Sequence, residues 1–160
     1  RLFNPLVVAV SLVLGGFAIL AVERWHRPST AATVDDIGPR LALGIGLAQV
    51  LSLIPGVSRS GATIMGALAL GASRVAAAEF SFFLAIPIMI GASGLKLFKD
   101  GGSLTSADIP FFAAGCVVAF LSALVVVRFL IRFVAGHTFV TFAWYRIVFG
   151  LVVLAWYGLG

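Results

Sequence analysis

The residues best placed to do chemistry form a short polar kernel, Pro55-Gly56-Val57-Ser58-Arg59-Ser60-Gly61, set between two apolar runs. An arginine offers a permanently charged planar fork that matches the oxygens of a phosphate. Ser58 and Ser60 add hydroxyls, and glycine on both sides lets backbone approach a ligand closely. With a helix starting at Ser60, the N–H groups of Gly61, Ala62 and Thr63 would lack intrahelical partners and face the ligand with the positive end of the dipole. Together these describe a phosphate cradle, in which Arg59 and Ser60 are the catalytic candidates and Ser58, Gly61, Ala62 and Thr63 the phosphate contacts. Ser60 is the weaker nucleophile, since no general base lies near it in the sequence. The competing reading is structural: Arg59 ties the kernel to carbonyls of neighbouring helices.

Three further residues could support the kernel. Gln49 precedes Ser58 by nine residues and reads first as a helix–helix hydrogen-bonding group. Glu79 falls in the first turn of a later helix, where a carboxylate is favoured, and could also serve Arg59 or Arg74. Arg146 has no glycine or serine cluster beside it and reads as a buried arginine bonded to Glu79, to a helix end or to backbone carbonyls. His26, His137 and the Asp35-Asp36 pair belong to polar turns, and Cys116, the single cysteine, leaves neither a disulfide framework nor a cysteine metal site.

The elements that must position these groups are membrane helices. Of the 160 residues, 61% are hydrophobic, and mean hydropathy is +1.15. The net charge of +5 is a matter of placement at membrane faces, and nucleic-acid binding is a poor explanation for it. The run before the kernel, Leu41 to Ile54, would be about 21 Å long as a helix, and Ser60 to Gly71 about 18 Å. Neither crosses a hydrocarbon layer of about 30 Å. Pro55 prevents one straight helix through both, so residues 41–71 are expected to form a re-entrant hairpin with its tip near the midplane. Small residues four apart, Ala42/Gly46, Ala62/Gly66 and Ala67/Gly71, would let its arms pack closely.

Four spans surround the hairpin: 5–22, 73–98, 109–134 and 139–157. Ser73 is a candidate N-cap, and Pro87 should bend its helix. The expected fold is an all-α polytopic membrane protein of four transmembrane helices plus one re-entrant helical hairpin, with residues 1–160 forming a single membrane domain. The chain does not begin with methionine and its first apolar run lacks a small-residue cleavage site, so it is expected to belong to a longer protein without a secretory signal here. The face with the hairpin mouth collects Arg24, Arg27, Arg40, Arg74, Arg128 and Arg132, against Arg1, Lys96 and Lys99 opposite. Six against three places the mouth and residues 23–40 in the cytoplasm, with residues 99–108 and the C-terminus outside.

The run PGVSRSGATIMGALALGASRVAAAEFSFFLAIPIMIGAS, from Pro55 to Ser93, resembles the undecaprenyl pyrophosphate phosphatase (bacitracin-resistance protein) family. The likeness continues through Asp108 to Phe112 and the arginine-bearing last span, and reaches back to Phe3-Asn4-Pro5. It implies half of an inverted-repeat fold, with 1–22 the last span of a first repeat and 41–160 the second. It also implies hydrolysis of undecaprenyl diphosphate to the monophosphate plus phosphate in the bacterial plasma (inner) membrane, recycling the cell-wall lipid carrier. The family motif's arginine falls on Arg59, flanked by Ser58 and Ser60. A divalent cation, Mg or Ca, is implied, with carboxylates expected in the missing N-terminal repeat; Gln49 stands where the internal counterpart has glutamate. A homodimer is an allowed assembly. The alternative function is a polyprenyl-phosphate flippase or transporter, since broken helices around a midplane anion site are transporter features.

Overall fold

The computed structural model describes residues 4–25, 29–103 and 105–158. Arg1, Phe3, His26 and Arg27, which entered the reading above, lie outside them. Six α-helices carry the fold: α1 (Pro5–Arg24), α2 (Pro39–Gln49), α3 (Arg59–Ala69), α4 (Arg74–Asp100), α5 (Ile109–Gly136) and α6 (Val140–Gly158). Four of them, α1, α4, α5 and α6, are long and apolar enough to cross a membrane. Local chemistry sets their starts. Asn4 accepts the Leu6 N–H ahead of Pro5, and Ser73 accepts that of Ala76, the cap expected for α4. Helix α4 continues through Pro87 to Asp100.

Residues 39–69 fold as a hairpin. Gly44 lies against Leu70, and Gly66 against Ala48; a Cβ on either glycine would come within 2.6 Å or 2.4 Å of those side chains. The two pairs step in opposite directions along the arms, which are therefore antiparallel. The contact uses Gly44, Ala48 and Gly66, whereas Gly46 faces open space. The first arm also stops being α-helical sooner than expected: α2 ends at Gln49, and a 3₁₀ turn, Val50–Leu53, leads into Ile54 and Pro55. This tightening fits the backbone restriction that a proline imposes on the residue before it.

The mouth and the tip of the hairpin lie at different levels of α1. At the mouth, Gly71 accepts the N–H groups of Thr30 and Ala31, just after α1, and Ser73 donates back to Ala31 and Ala32. At the tip, Gly56 (φ +89°) sits on α1 so closely that a Cβ there would lie 2.6 Å from the Val8 carbonyl oxygen and 2.9 Å from Ser11 Cβ. The chain thus runs from the C-terminal end of α1 toward its N-terminal half and returns, as a re-entrant segment must. A buried hydroxyl pair, Thr63 to Ser81 at 2.7 Å, joins α3 to α4.

Helix α6 packs antiparallel on α1. Gly16 faces Ala143 and Ile147, while Gly150 faces Ala9, Leu12 and Val13, with ideal Cβ positions 2.8 Å and 2.9 Å from the carbonyl oxygens of Ala143 and Ala9. Glycines at both ends of the seam bring the backbones together where no hydrophobic gain separates helix from lipid. Helix α5 contacts α4, and Val134 is its one buried residue among those described. Its exposed leucines, valines and phenylalanines suit a lipid-facing span.

Glu23, at the end of α1, holds the mouth face together. Its carboxylate receives the Arg74 guanidinium at the start of α4 and the Phe139 N–H ahead of α6, at 2.9 Å. The Glu23 side chain is only 4% exposed. On the opposite face, Asp108 caps the turn before α5 by accepting the N–H and hydroxyl of Thr105 at 2.9 Å and 2.8 Å. The same Thr-x-x-Asp arrangement recurs at Thr33 and Asp36, shortly before α2. Both carboxyls are held below the ordinary value of 3.8 by the threonine hydrogen bonds.

Three outcomes are expected. Glu23→Ala should lower stability by about 2–3 kcal/mol, because it strands a half-buried arginine and a helix-start N–H, with Glu23→Gln intermediate; thermal unfolding in detergent measures both. Gly56→Ala should cost at least about 1 kcal/mol, from a disfavoured φ and the clash with Val8, and an unchanged melting curve would mean the tip does not sit there. Since the Asp108 carboxyl has a depressed folded pKa, the stability it contributes is full above the ordinary value and is lost as pH falls through the folded one. The gap in unfolding midpoint between wild type and Asp108→Asn should therefore close below about pH 4.

Candidate functional site

The Ser-Arg-Ser kernel becomes the first turn of α3. Ser58 is the N-cap: its Oγ accepts the Gly61 N–H at 3.1 Å, and its carbonyl accepts the Ala62 N–H at 2.9 Å. The helix therefore starts one residue earlier than the sequence suggests. This changes which backbone groups are available. The N–H groups of Gly61 and Ala62 are taken, and Thr63 lies wholly inside the helix, so the N–H groups without partners among the described residues are those of Arg59 and Ser60. The cradle is displaced toward the kernel itself, where the dipole still presents its positive end.

The side chains divide into structural and open ones. Thr63 is buried, and its hydroxyl donates to the carbonyls of Arg59 and Ser60 while accepting from Ser81. Its single proton leaves nothing for a ligand. Ser60 is exposed and its Oγ lies 3.2 Å from that of Ser58, which is already engaged as the cap. Arg59 is half-buried, and its guanidinium has no partner among the described residues. The structure thus brings Ser58, Arg59, Ser60 and Gly61 together with one uncommitted positive charge.

Arg146 joins them from α6. Its Nη2 donates to the Gly56 carbonyl at 2.9 Å, the backbone-carbonyl option among those the sequence left open. The residue is 5% exposed, so a charge of α6 is buried against the hairpin tip. Glu79 is not its partner. That carboxylate is half-buried and makes no ion pair or hydrogen bond with Arg59, Arg74 or Arg146, since Arg74 is taken by Glu23. Gln49, at the end of α2, keeps a buried Oε1 with no hydrogen-bond partner. Glu23 is the polar residue that sequence reasoning missed. It stood in the loop segment by pattern, and its partners Arg74 and Phe139 are 51 and 116 residues away.

The donor set does not suit a divalent cation. Mg²⁺ and Ca²⁺ require oxygen ligands, usually carboxylates. The kernel offers a guanidinium, two hydroxyls and N–H groups, and among the described residues no three His, Cys, Asp or Glu side chains cluster. What the arrangement offers an anion is a guanidinium, two N–H groups at a helix start and a serine hydroxyl, all on neighbouring residues and, apart from the Ser60 contact to Ser58, without partners among the described residues.

The chain is 54% identical over 162 residues to the undecaprenyl-diphosphatase of Acidovorax ebreus (strain TPSY), covering 99% of this chain and 59% of the relative. It is 54% identical over 161 residues to that of Methylococcus capsulatus, again covering 99% and 59%, and 54% identical over 159 residues to that of Laribacter hongkongensis, covering 99% and 58%. The chain thus spans about three fifths of the length of these curated relatives. The family described as bacitracin resistance protein BacA matches residues 1–152, nearly the whole of the chain, and the chain belongs to that family.

Proposed function

We propose that the full-length protein carrying this chain is a phosphatase of a polyprenyl diphosphate, releasing phosphate from undecaprenyl diphosphate in the bacterial inner membrane. The observation that carries the reading is the Arg59 guanidinium, without a partner among the described residues, at the start of a half-length helix inside a membrane domain. The names of the relatives support the substrate, and the apolar helices around the tip suit a lipid whose tail stays in hydrocarbon.

In this reading the diphosphate meets the tip and the prenyl tail lies along the exposed apolar helices. Arg59 and the N–H groups of Arg59 and Ser60 stabilise the charge on the transferring phosphoryl group. The terminal phosphorus is attacked in line, either by water directly or by a hydroxyl whose phosphoester water then hydrolyses. Its bond to the bridging oxygen breaks, the electron pair and negative charge pass to the lipid monophosphate, and inorganic phosphate results. Among the described residues the Ser60 hydroxyl meets no base: its side-chain hydrogen-bond partner is the capping serine at 3.2 Å. The attacking group and its base are accordingly assigned to the part of the protein outside this chain. Carboxylates for the Mg or Ca ion that family membership suggests are assigned there too. In the same proposal residues 41–160 form a second repeat with α1 closing the first, the hairpin mouth faces the cytoplasm, and a homodimer is an allowed assembly.

The test is phosphate release from detergent-purified full-length protein. Arg59→Ala should reduce turnover by about 100-fold or more, and Arg59→Lys should keep a small fraction because the bidentate fork is lost. Both should melt near wild type, since the guanidinium makes no hydrogen bond or ion pair among the described residues. Normal turnover by Arg59→Ala would reassign the residue to structure. Transport of the monophosphate in sealed vesicles without phosphate release would favour a flippase.

A further inference from the structure

Helix α5 packs on α4 alone among the described elements, and its last turns carry two arginines. Arg128 and Arg132 stand one turn apart, both exposed, and neither makes an ion pair or hydrogen bond among the described residues. This end of α5 lies on the mouth face, because the Phe139 N–H just beyond it donates to Glu23. The Glu23 carboxylate is committed there to Arg74 and Phe139. Helix geometry gives the depth of the pair. A hydrocarbon layer of about 30 Å takes up about 20 residues of α-helix. Counted from Ile109, where the Asp108 turn starts α5 on the opposite face, that length ends at Arg128. Arg132 then falls one turn further, at the level of lipid headgroups.

The helix face below the arginines is apolar. Leu121 and Val125, seven and three residues before Arg128, share its face and are exposed. An apolar stripe that leads up to two positive charges has the order of a lipid molecule, acyl chain first and phosphate above it. Beside the stripe runs a row of rings: Phe129 and Phe133 with centroids 6.3 Å apart, then His137 stacked on Phe133 at 4.1 Å. His137 Nδ1 donates to the Phe133 carbonyl at 2.9 Å, which holds its ring in the row. The two guanidiniums gain from a shared anion. Like charges at this helical spacing repel each other, and helical Cβ atoms lean toward the N-terminus, which in α5 is toward hydrocarbon. A phosphate between the arginines removes the repulsion and gives each an oxygen at the depth where it stands.

We propose that Arg128 and Arg132 hold the headgroup phosphate of an anionic phospholipid, with one of its acyl chains on the stripe through Leu121 and Val125. A zwitterionic lipid is disfavoured, because its own ammonium would be drawn up to two arginines that no carboxylate answers among the described residues. The site lies on α5, away from the hairpin tip, and does not depend on the phosphatase reading. It ties a span that packs on a single neighbour to the headgroup layer of the mouth face.

The test is native mass spectrometry of the full-length protein in detergent, titrated with phosphatidylglycerol or with phosphatidylcholine of the same acyl chains. Wild type should take up the first phosphatidylglycerol at lower concentration than the first phosphatidylcholine. Arg128→Gln and Arg132→Gln should each weaken phosphatidylglycerol binding by about fivefold, and the double variant by about twentyfold, with phosphatidylcholine little changed. Arg132→Lys, which keeps the charge, should retain most of the preference. Equal affinity of wild type for the two lipids overturns the proposal. So does a double variant that keeps the wild-type preference, since anionic lipid would then be held elsewhere. If the double variant does not fold, the two single variants decide by the same criterion. Arginine variants that melt lower yet bind both lipids as wild type does would mean that another part of the full-length chain covers the pair, and this too overturns it.

Discussion

Non-helical backbone inside a membrane domain must find its hydrogen-bonding partners in protein, and the tip of the hairpin is where this chain meets that demand. Residues 54–58 interrupt the helical ladder within the length spanned by α1. The solution is distributed over three elements. Local turns close Ile54 and Val57, Ser58 caps α3, and Arg146 takes the Gly56 carbonyl from a helix nearly at the other end of the chain. Gly56 lets the backbone pass against α1 at a distance no side chain would allow. Without those partners the hairpin would expose polar backbone to hydrocarbon, and the kernel would have no fixed position.

The mouth is held by charge where the tip is held by backbone. Glu23 draws together the end of α1, the start of α4 and the start of α6. With Gly71 and Ser73 bonded to the segment after α1, the base of the hairpin is fixed at the level where α1 emerges. The arms have little freedom to slide, because Gly44 and Gly66 interlock with Leu70 and Ala48. Base and arms together set the level of the first turn of α3 against α1.

Much of this was legible in the sequence, for reasons of length and local chemistry. Arms too short to cross, a proline between them and serines ahead of α3 and α4 are one-dimensional facts, and the hairpin and the Ser73 cap follow from them, as the four spans follow from the long apolar runs. Helix α3 starts at Arg59 rather than Ser60 because Ser58 caps it, through the bond from the Gly61 N–H. The arm contact was assigned to Gly46 rather than Gly44, since a pattern of small residues does not fix the rotation of a helix about its axis. What could not be read at all was long-range pairing. Gly56 and Arg146 are 90 residues apart, and nothing in the residues around either announces the other.

The arginines show how position determines what a charge is for. Arg74, at the mouth, is answered by Glu23 and is thereby neutralised as part of the frame. Arg59 and Arg146, at the tip, are given hydroxyls, carbonyls and glycines and no carboxylate among the described residues, although Glu79 lies on the adjoining helix α4. An acidic partner at the tip would repay the cost of burial, yet it would also repel any phosphate and occupy the guanidinium fork that must receive it. At the tip the fold accepts positive charge that no carboxylate among the described residues compensates, with Arg146 answered by the Gly56 carbonyl.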